Sequence, residues 1–208
     1  MVALFHGALL AIGLILPLGV QNVFVFNQGA SQPTYFRVLP VILTAALCDS
    51  LLIALAISGI SILIFKIVWL KSVFMFIGLI FLVYMGWTIW RSASQTQLTE
   101  KQKPLSPKQQ ISFALSVSLL NPHAILDTIG VIGTSSLTYT GAEKHLFTIG
   151  CITVSWLWFF LLAYMGKLVG NLDPSHRLQR NINRLSAIII WLIACLLGYD
   201  LVSNIHSE

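Results

Sequence analysis

The sequence predicts an all-α polytopic membrane protein with about six transmembrane helices. Of its 208 residues, 57% are hydrophobic and 9% are charged, whereas roughly a quarter of an ordinary soluble domain is charged. Several apolar stretches also reach the length of about 20 residues that crosses the hydrocarbon of a bilayer. A soluble fold of this size would need more polar side chains to cover its surface. We therefore expect residues 1–208 to form a single transmembrane domain.

Six apolar windows define the candidate spans. We expect the first to be a span and not a secretory signal, because residues 1–12 contain no Lys or Arg and the apolar run exceeds the apolar core of a signal peptide. A polar linker at 91–110 follows the third window and divides the chain into halves of three spans each, about 1–90 and 111–208. The windows are 3–26, 38–64, 69–90, 111–138, 146–166 and 185–204.

The basic residues predict the orientation of the spans. Nine of the 12 Lys and Arg residues lie in the first, third and fifth loops, and three lie in the second and fourth. Basic loops face the cytoplasm, so both termini are expected outside. This placement of basic residues in loops explains the net charge of +5. We therefore expect the chain to lie in the lipid bilayer and not to bind nucleic acid.

The two halves resemble each other. CDSLLIALAISG at 48–59 and SWLWFFLLAYMG at 155–166 both end an apolar run in Gly, and VYMGW at 83–87 lies in the third span where LLGYD at 196–200 lies in the sixth. An odd number of spans in each half makes the halves enter the membrane in opposite directions. This pattern predicts two inverted three-helix repeats, the plan of many secondary transporters.

Corresponding spans of the two halves are interrupted by proline. The first span contains LPLGVQN at 16–22, with Pro17 and Gly19, and the fourth contains LLNPHAILDTIG at 119–130, with Pro122. Proline frees backbone carbonyls that hydrocarbon cannot satisfy. Paired breaks in corresponding spans indicate a transporter binding site. The alternative is an ordinary proline kink held by neighbouring amide side chains.

Two acids fall near the middle of their spans, Asp49 in the second and Asp127 in the fourth. A central Asp costs roughly 3 kcal/mol on insertion scales, so each is expected to face the interior and to be functional. The alternative is a protonated Asp that hydrogen-bonds across helices. His123 follows Pro122 directly, where it either relays protons or lines the kink.

Other chemistries find no support in the sequence. Walker, G-x-G-x-x-G, C-x-x-C and H-E-x-x-H patterns are all absent, so no enzyme activity and no cofactor are expected. The three cysteines lie in three different apolar stretches without paired spacing. They therefore predict neither a disulfide framework nor a metal site.

Two segments carry a family resemblance. ILPLGVQNVFVFNQG at 15–29 and LNPHAILDTIGVIG at 120–133, together with Asp49 and SWLWFF at 155–160, resemble the signature segments of the LysE-type amino acid exporters. The arginine and lysine exporter branch is the nearest match. The chain departs from that branch at Val20, where the branch usually has a second proline. The resemblance implies a multi-pass protein of the bacterial inner membrane that exports arginine or lysine by exchange against protons.

The candidate residues fit this implied function. An acid in a low-dielectric site holds either a proton or the substrate's cation, which makes Asp49 and Asp127 candidates for coupling. One returning proton cancels the charge of one exported cation, worth about 2.3 kcal/mol per 100 mV. Helix N–H groups beyond each break would bind the substrate carboxylate. The amides expected to assist them are Gln21, Asn22 and Asn121.

Three alternatives remain open from the sequence. The same fold could export a neutral amino acid or a hard cation, or the chain could be a non-transporting membrane subunit whose acids dock helices. Gly166 and Gly170 form a G-x-x-x-G pattern at a span end, which permits a homodimer.

Overall fold

The computed structural model describes residues 1–16, 19–59, 68–94, 104–172 and 177–206, and every regular element within them is helical. The predicted all-helical class is therefore confirmed for these residues. A 3₁₀ turn, Tyr35–Val38, precedes the helix Leu39–Ile57, and the helix Pro122–Asp127 continues as a π-helical segment, Thr128–Gly133, and a short α-helix, Thr134–Ser136. The helices are α1 (Val2–Ile15), α2 (Val20–Ser31), α3 (Leu39–Ile57), α4 (Val68–Ser94), α5 (Pro107–Leu119), α6 (Pro122–Asp127), α7 (Gly141–Leu172) and α8 (Arg177–His206).

Local sequence explains several of the helix ends. Ser106 and Gln109 form a capping box at the start of α5, with Pro107 in the first turn, so that two otherwise unpaired backbone N–H groups are satisfied. Just past α3, Gly59 adopts φ 77°, the left-handed conformation that glycine favours at helix ends. Residues 60–67, which include the end of the predicted second span at 60–64, lie outside the described part of the chain.

Two unbroken helices in the described residues are long and apolar enough to cross a membrane, Tyr35–Ile57 and Gly141–Leu172. The number is four if each of two bent pairs counts as one span. Val2–Ile15 and Val20–Ser31 are bent by 80°, and Pro107–Leu119 and Ala124–Ser136 are bent by 59°. The bends lie where the sequence places its prolines. α4 and α8 contain shorter apolar stretches, Phe76–Arg91 and Asn183–Leu196.

The long helix α7 packs against both α1 and α2, and glycines set the approach. A Cβ on Gly7 would overlap the carbonyl oxygen of Phe147, and one on Gly29 would overlap that of Ala163. Small residues allow helix backbones to approach this closely in membranes. The contacts on α7 advance from 147 to 163 as the other chain segment advances from 7 to 29. The bent segment of α1 and α2 therefore passes along α7 in the same chain direction.

The second broken pair packs beside α3 in the same way. At one end, Gln110 Nε2 of α5 donates to the carbonyl of Arg37 at 3.0 Å. At the other end, a Cβ on Gly133 would lie 3.2 Å from the carbonyl oxygen of Ala56. The bent segment from α5 to Gly133 therefore passes along α3 in the same chain direction. α4 packs on α8, where the rings of Trp90 and Trp191 are 5.6 Å apart.

Candidate functional site

A cavity of about 290 Å³ lies between the two helix breaks. This volume is at the lower end of the range for small-molecule sites, roughly 300–1,000 Å³. Most of the residues that line it are apolar, and they come from α1, α2, α3, α4, α7, α8 and the segment from α6 to Gly133. The polar wall includes five residues singled out in the sequence: Gln21, Asn22, Asp49, Asn121 and Asp127.

Asp49 projects from the middle of α3 and is held by two neutral donors. Ser155 Oγ of α7 donates to Asp49 Oδ2 at 2.8 Å. Gln21 Nε2 of α2 lies 3.4 Å from Asp49 Oδ1 and 3.5 Å from the carbonyl of Ala45. Each carboxylate oxygen thus accepts one hydrogen bond from a different helix, while Asp49 also lines the cavity.

The first break is closed by Asn22. Its Nδ2 donates to the carbonyl of Ile15, the last residue of α1, at 2.7 Å, and its Oδ1 accepts from Trp158 Nε1 at 3.3 Å. The carbonyls at the end of a helix have no partner within the helix and need one elsewhere in hydrocarbon. Asn22 supplies that partner across the break, and Trp158 of α7 orients the amide.

Val20, the departure from the arginine and lysine branch, is the first residue of α2. Proline is tolerated at this position because the N–H there has no helical partner. The start of α2 therefore forms without the second proline. Gly19 is the N-cap residue, with φ −73° and no side-chain cap, and it lines the cavity.

The second break is closed differently. Asn121 is the N-cap of α6, and its Oδ1 accepts from the backbone N–H of Ala124 at 3.4 Å. Asp127 ends α6 and lines the cavity. A π-helical segment follows directly, and such segments are frequent at functional sites. Thr128 opens it and donates to the carbonyl of Ala124 at 2.7 Å.

The remaining predicted site residues are only partly described. Pro17 lies outside the described residues. The backbone of Pro122 and His123 belongs to α6, but their side chains lie outside the described part, so the prediction for His123 stays a prediction. Sequence reasoning missed Ser155 and Trp158. The available signal was a serine and an indole N–H in the middle of an apolar span.

The charged residues among the described lining of the cavity are both acidic. Two carboxylates, Asp49 and Asp127, line it, and none of the lining residues that the structure describes is Lys, Arg or His. A cation entering the cavity would find opposite charge and no Lys, Arg or His among the lining residues that the structure describes. Within the described ranges, no group of three or more His, Cys, Asp and Glu side chains is placed to hold a metal ion.

Comparisons with known proteins agree with one another. Residues 12–201 match the family described as LysE type translocator. The chain is 51% identical over 202 residues to the putative amino-acid transporter YisU of Bacillus subtilis, covering 97% of this chain and 91% of that protein. It is 34% identical over 206 residues to the arginine exporter protein ArgO of Salmonella paratyphi A, covering 98% and 96%. No solved structure matches it.

Proposed function

We propose, from the premise that this chain belongs to the LysE type translocator family, that it is a secondary active exporter of basic amino acids, arginine or lysine. Membership of this family makes the chain an amino acid transporter of the membrane and not an enzyme. The observation that carries the finer proposal is the cavity bounded by Asp49 and Asp127, whose described lining lacks any Lys, Arg or His. The similarity to an arginine exporter supports it.

The two acids provide a basis for exchange against protons. A carboxylate away from bulk water is stable when it is protonated or paired with a cation. Binding of the substrate's guanidinium or ammonium group at Asp49 or Asp127 therefore excludes the proton there. A proton that returns when the substrate leaves also compensates the cost of moving one positive charge outward, about 2.3 kcal/mol per 100 mV. We propose that this mutual exclusion of proton and substrate at the acids couples their transport in opposite directions.

The substrate's own carboxylate needs hydrogen-bond donors. The start of α2 at Gly19 and Val20 lines the cavity, and the first N–H groups of a helix favour an anion. Gln21 and Asn121 lie at the same cavity. Asn22 would join them only by releasing Ile15, to which its amide nitrogen donates in this structure.

The packing pattern supports the proposed six-span inverted repeat. Each broken pair passes along the second helix of the other half in the same chain direction: α1 and α2 beside α7, and α5 to Gly133 beside α3. The equivalent helices α3 and α7 contact each other, as do α4 and α8. Exchanging the halves leaves this pattern unchanged, as expected for a two-fold relation. Rocking of one half against the other would open the cavity alternately to each side, with both termini outside the inner membrane.

Counterflow in proteoliposomes tests the proposal. We expect radiolabelled arginine or lysine to enter acid-loaded vesicles that contain the parent protein, because outward proton flow drives the exchange. Asp49→Asn and Asp127→Asn should each abolish this uptake. Glu143→Gln is the matched control, since Glu143 is an exposed acid in the first turn of α7, and it should transport as the parent does.

Three results would each contradict a different part of the proposal. If the parent moves no basic amino acid but exchanges a neutral amino acid or an inorganic cation, the assigned cargo is wrong. If both Asp variants match the parent, the two acids only dock helices and the coupling site lies elsewhere. If the pH gradient does not change the uptake, the proposed exchange against protons is wrong and the assigned cargo stands.

A further inference from the structure

We infer that Ser155 sets the preference of the cavity for arginine over lysine by holding the Asp49 carboxylate in one orientation. Ser155 is a positioning residue in this role, because it contacts the acid and not the substrate. The inference rests on the proposed function and deepens it. It assigns substrate discrimination to a neutral hydroxyl on α7, in the opposite half of the chain from Asp49.

Ser155 contacts Asp49 from outside the cavity. The serine is fully buried, with 0% of its surface exposed, and it is not among the residues that line the cavity, whereas Asp49 is. Its hydroxyl donates to Asp49 Oδ2 at 2.8 Å. The last torsion of an Asp side chain is broad. A short hydrogen bond from a fully packed residue is therefore what selects the plane of the carboxylate.

Gln21 constrains the same acid less. Its Nε2 is 3.4 Å from Asp49 Oδ1 and 3.5 Å from the carbonyl of Ala45, so both of its contacts are longer than an ordinary N–H···O hydrogen bond. An ionised carboxylate has about four acceptor positions. With one donor from Ser155 and one from Gln21, both oxygens retain capacity for a ligand.

A fixed carboxylate plane distinguishes the two basic amino acids. The guanidinium of arginine is a planar fork that donates two parallel hydrogen bonds to both oxygens of a carboxylate, and it requires a matching plane. The ammonium of lysine is a compact charge with three rotatable donors, and it adapts to either orientation. Loss of the Ser155 hydroxyl should therefore weaken arginine binding more than lysine binding.

The chain offers a matched control at the same helix crossing. Trp156 Nε1 of α7 donates to Ser50 Oγ of α3 at 3.0 Å, and Ser50 Oγ donates to the carbonyl of Ala46 at 2.7 Å. This neighbouring contact joins the same two helices one residue further along each. It has no described hydrogen bond to Asp49, so Ser50→Ala weakens the helix crossing without releasing the carboxylate.

The experiment measures KM and maximal rate of arginine and lysine counterflow in proteoliposomes for the parent, Ser155→Ala, Ser155→Thr and Ser50→Ala. We expect Ser155→Ala to raise the KM for arginine about tenfold and that for lysine only about twofold to threefold. The maximal rates should change little. The ratio of the KM for arginine to the KM for lysine is the quantity to compare. Ser155→Thr keeps a hydroxyl and should have the parental ratio, and Ser50→Ala should leave the ratio unchanged.

The inference would be overturned if Ser155→Ala raised both KM values equally, or if Ser50→Ala also raised the KM for arginine relative to that for lysine. Ser155 would then be a helix-docking group. Ser155→Cys keeps the test available if the alanine variant does not fold. Its weaker S–H donor should give an intermediate ratio, and a parental ratio would overturn the inference. A parent that transports neither amino acid would instead overturn the proposed function.

Discussion

The two helix breaks use asparagine in opposite senses. At the first break, Asn22 donates its amide nitrogen to the carbonyl of Ile15 at 2.7 Å, at the end of the helix before the break. At the second, Asn121 accepts from the backbone N–H of Ala124 at 3.4 Å, at the start of the helix after the break. A broken helix exposes both kinds of backbone group. Each half of the chain satisfies a different one with a side chain.

The breaks also differ in what holds the amide. Asn22 accepts from Trp158 on α7 at 3.3 Å, whereas the described bond of Asn121 is local, three residues away. Ser155, which holds Asp49, lies one turn from Trp158 on the same helix. A displacement of α7 would therefore act on the first break and on Asp49 together, while the cap at the second break depends on its own segment.

The largest test of this difference is Asn22→Ala. The substitution leaves the Ile15 carbonyl and the Trp158 indole N–H without these partners, and each group left unpaired costs about 1–3 kcal/mol. We expect a loss of about 3 kcal/mol, measured as a fall in the Tm of the purified protein in detergent. A fall no larger than that of Asn121→Ala would show that the first break is held by other contacts.

Trp158→Phe should have the next largest effect. It keeps an aromatic ring but removes the N–H that orients Asn22, at an expected cost of about 1.5 kcal/mol. In a double-mutant cycle with Asn22→Ala, the second substitution should add almost nothing, because both remove one interaction. Additive losses of Tm would contradict a shared Trp158–Asn22 interaction.

The second break should depend on its cap alone. Asn121→Ala removes the N-cap acceptor of α6 and should cost about 1 kcal/mol, whereas Asn121→Ser retains an oxygen that caps and should cost much less. The Tm of both variants, compared under one condition, measures this difference. Equal losses would mean that the Asn121 side chain acts through contacts other than its cap.

The smallest expected effect is a gain at the first break. Gly19 caps α2 without a side-chain hydrogen bond, and a Cβ there meets no atom within 4 Å. Gly19→Ser supplies the missing acceptor and should stabilise by a few tenths of a kcal/mol, seen as a Tm rise of about 1 °C. A decrease would indicate that the start of α2 is already satisfied by other groups.

Much of the architecture could be predicted from local patterns. Apolar length predicted the helices, and proline placed both bends, because hydrocarbon thickness and a missing N–H act on short segments. The boundaries were less accurate. α7 covers Gly141–Leu172 rather than 146–166, since a helix continues past the apolar window wherever its polar ends can reach the interface.

Part of the candidate site could also be predicted from the sequence. Asp49 and Asp127 were named because an acid within a span is expensive, and both line the cavity. The assignment of Asn22 to the substrate could not be refined from the sequence. Its donor lies on Ile15 in this structure, which depends on the path of the chain through the break.

The sequence by itself determined the membrane class, the positions of the two breaks and the two central acids. Each of these follows from residue types within one segment and the cost of placing them in hydrocarbon. The tertiary structure alone decided which polar groups meet. Ser155 contacts Asp49 across 106 positions of the chain, and Trp158 contacts Asn22 across 136. The first pair depends on how α7 packs against α3, and the second depends on how glycine faces allow α7 to approach α2. Packing geometry of this kind is not encoded in any single segment.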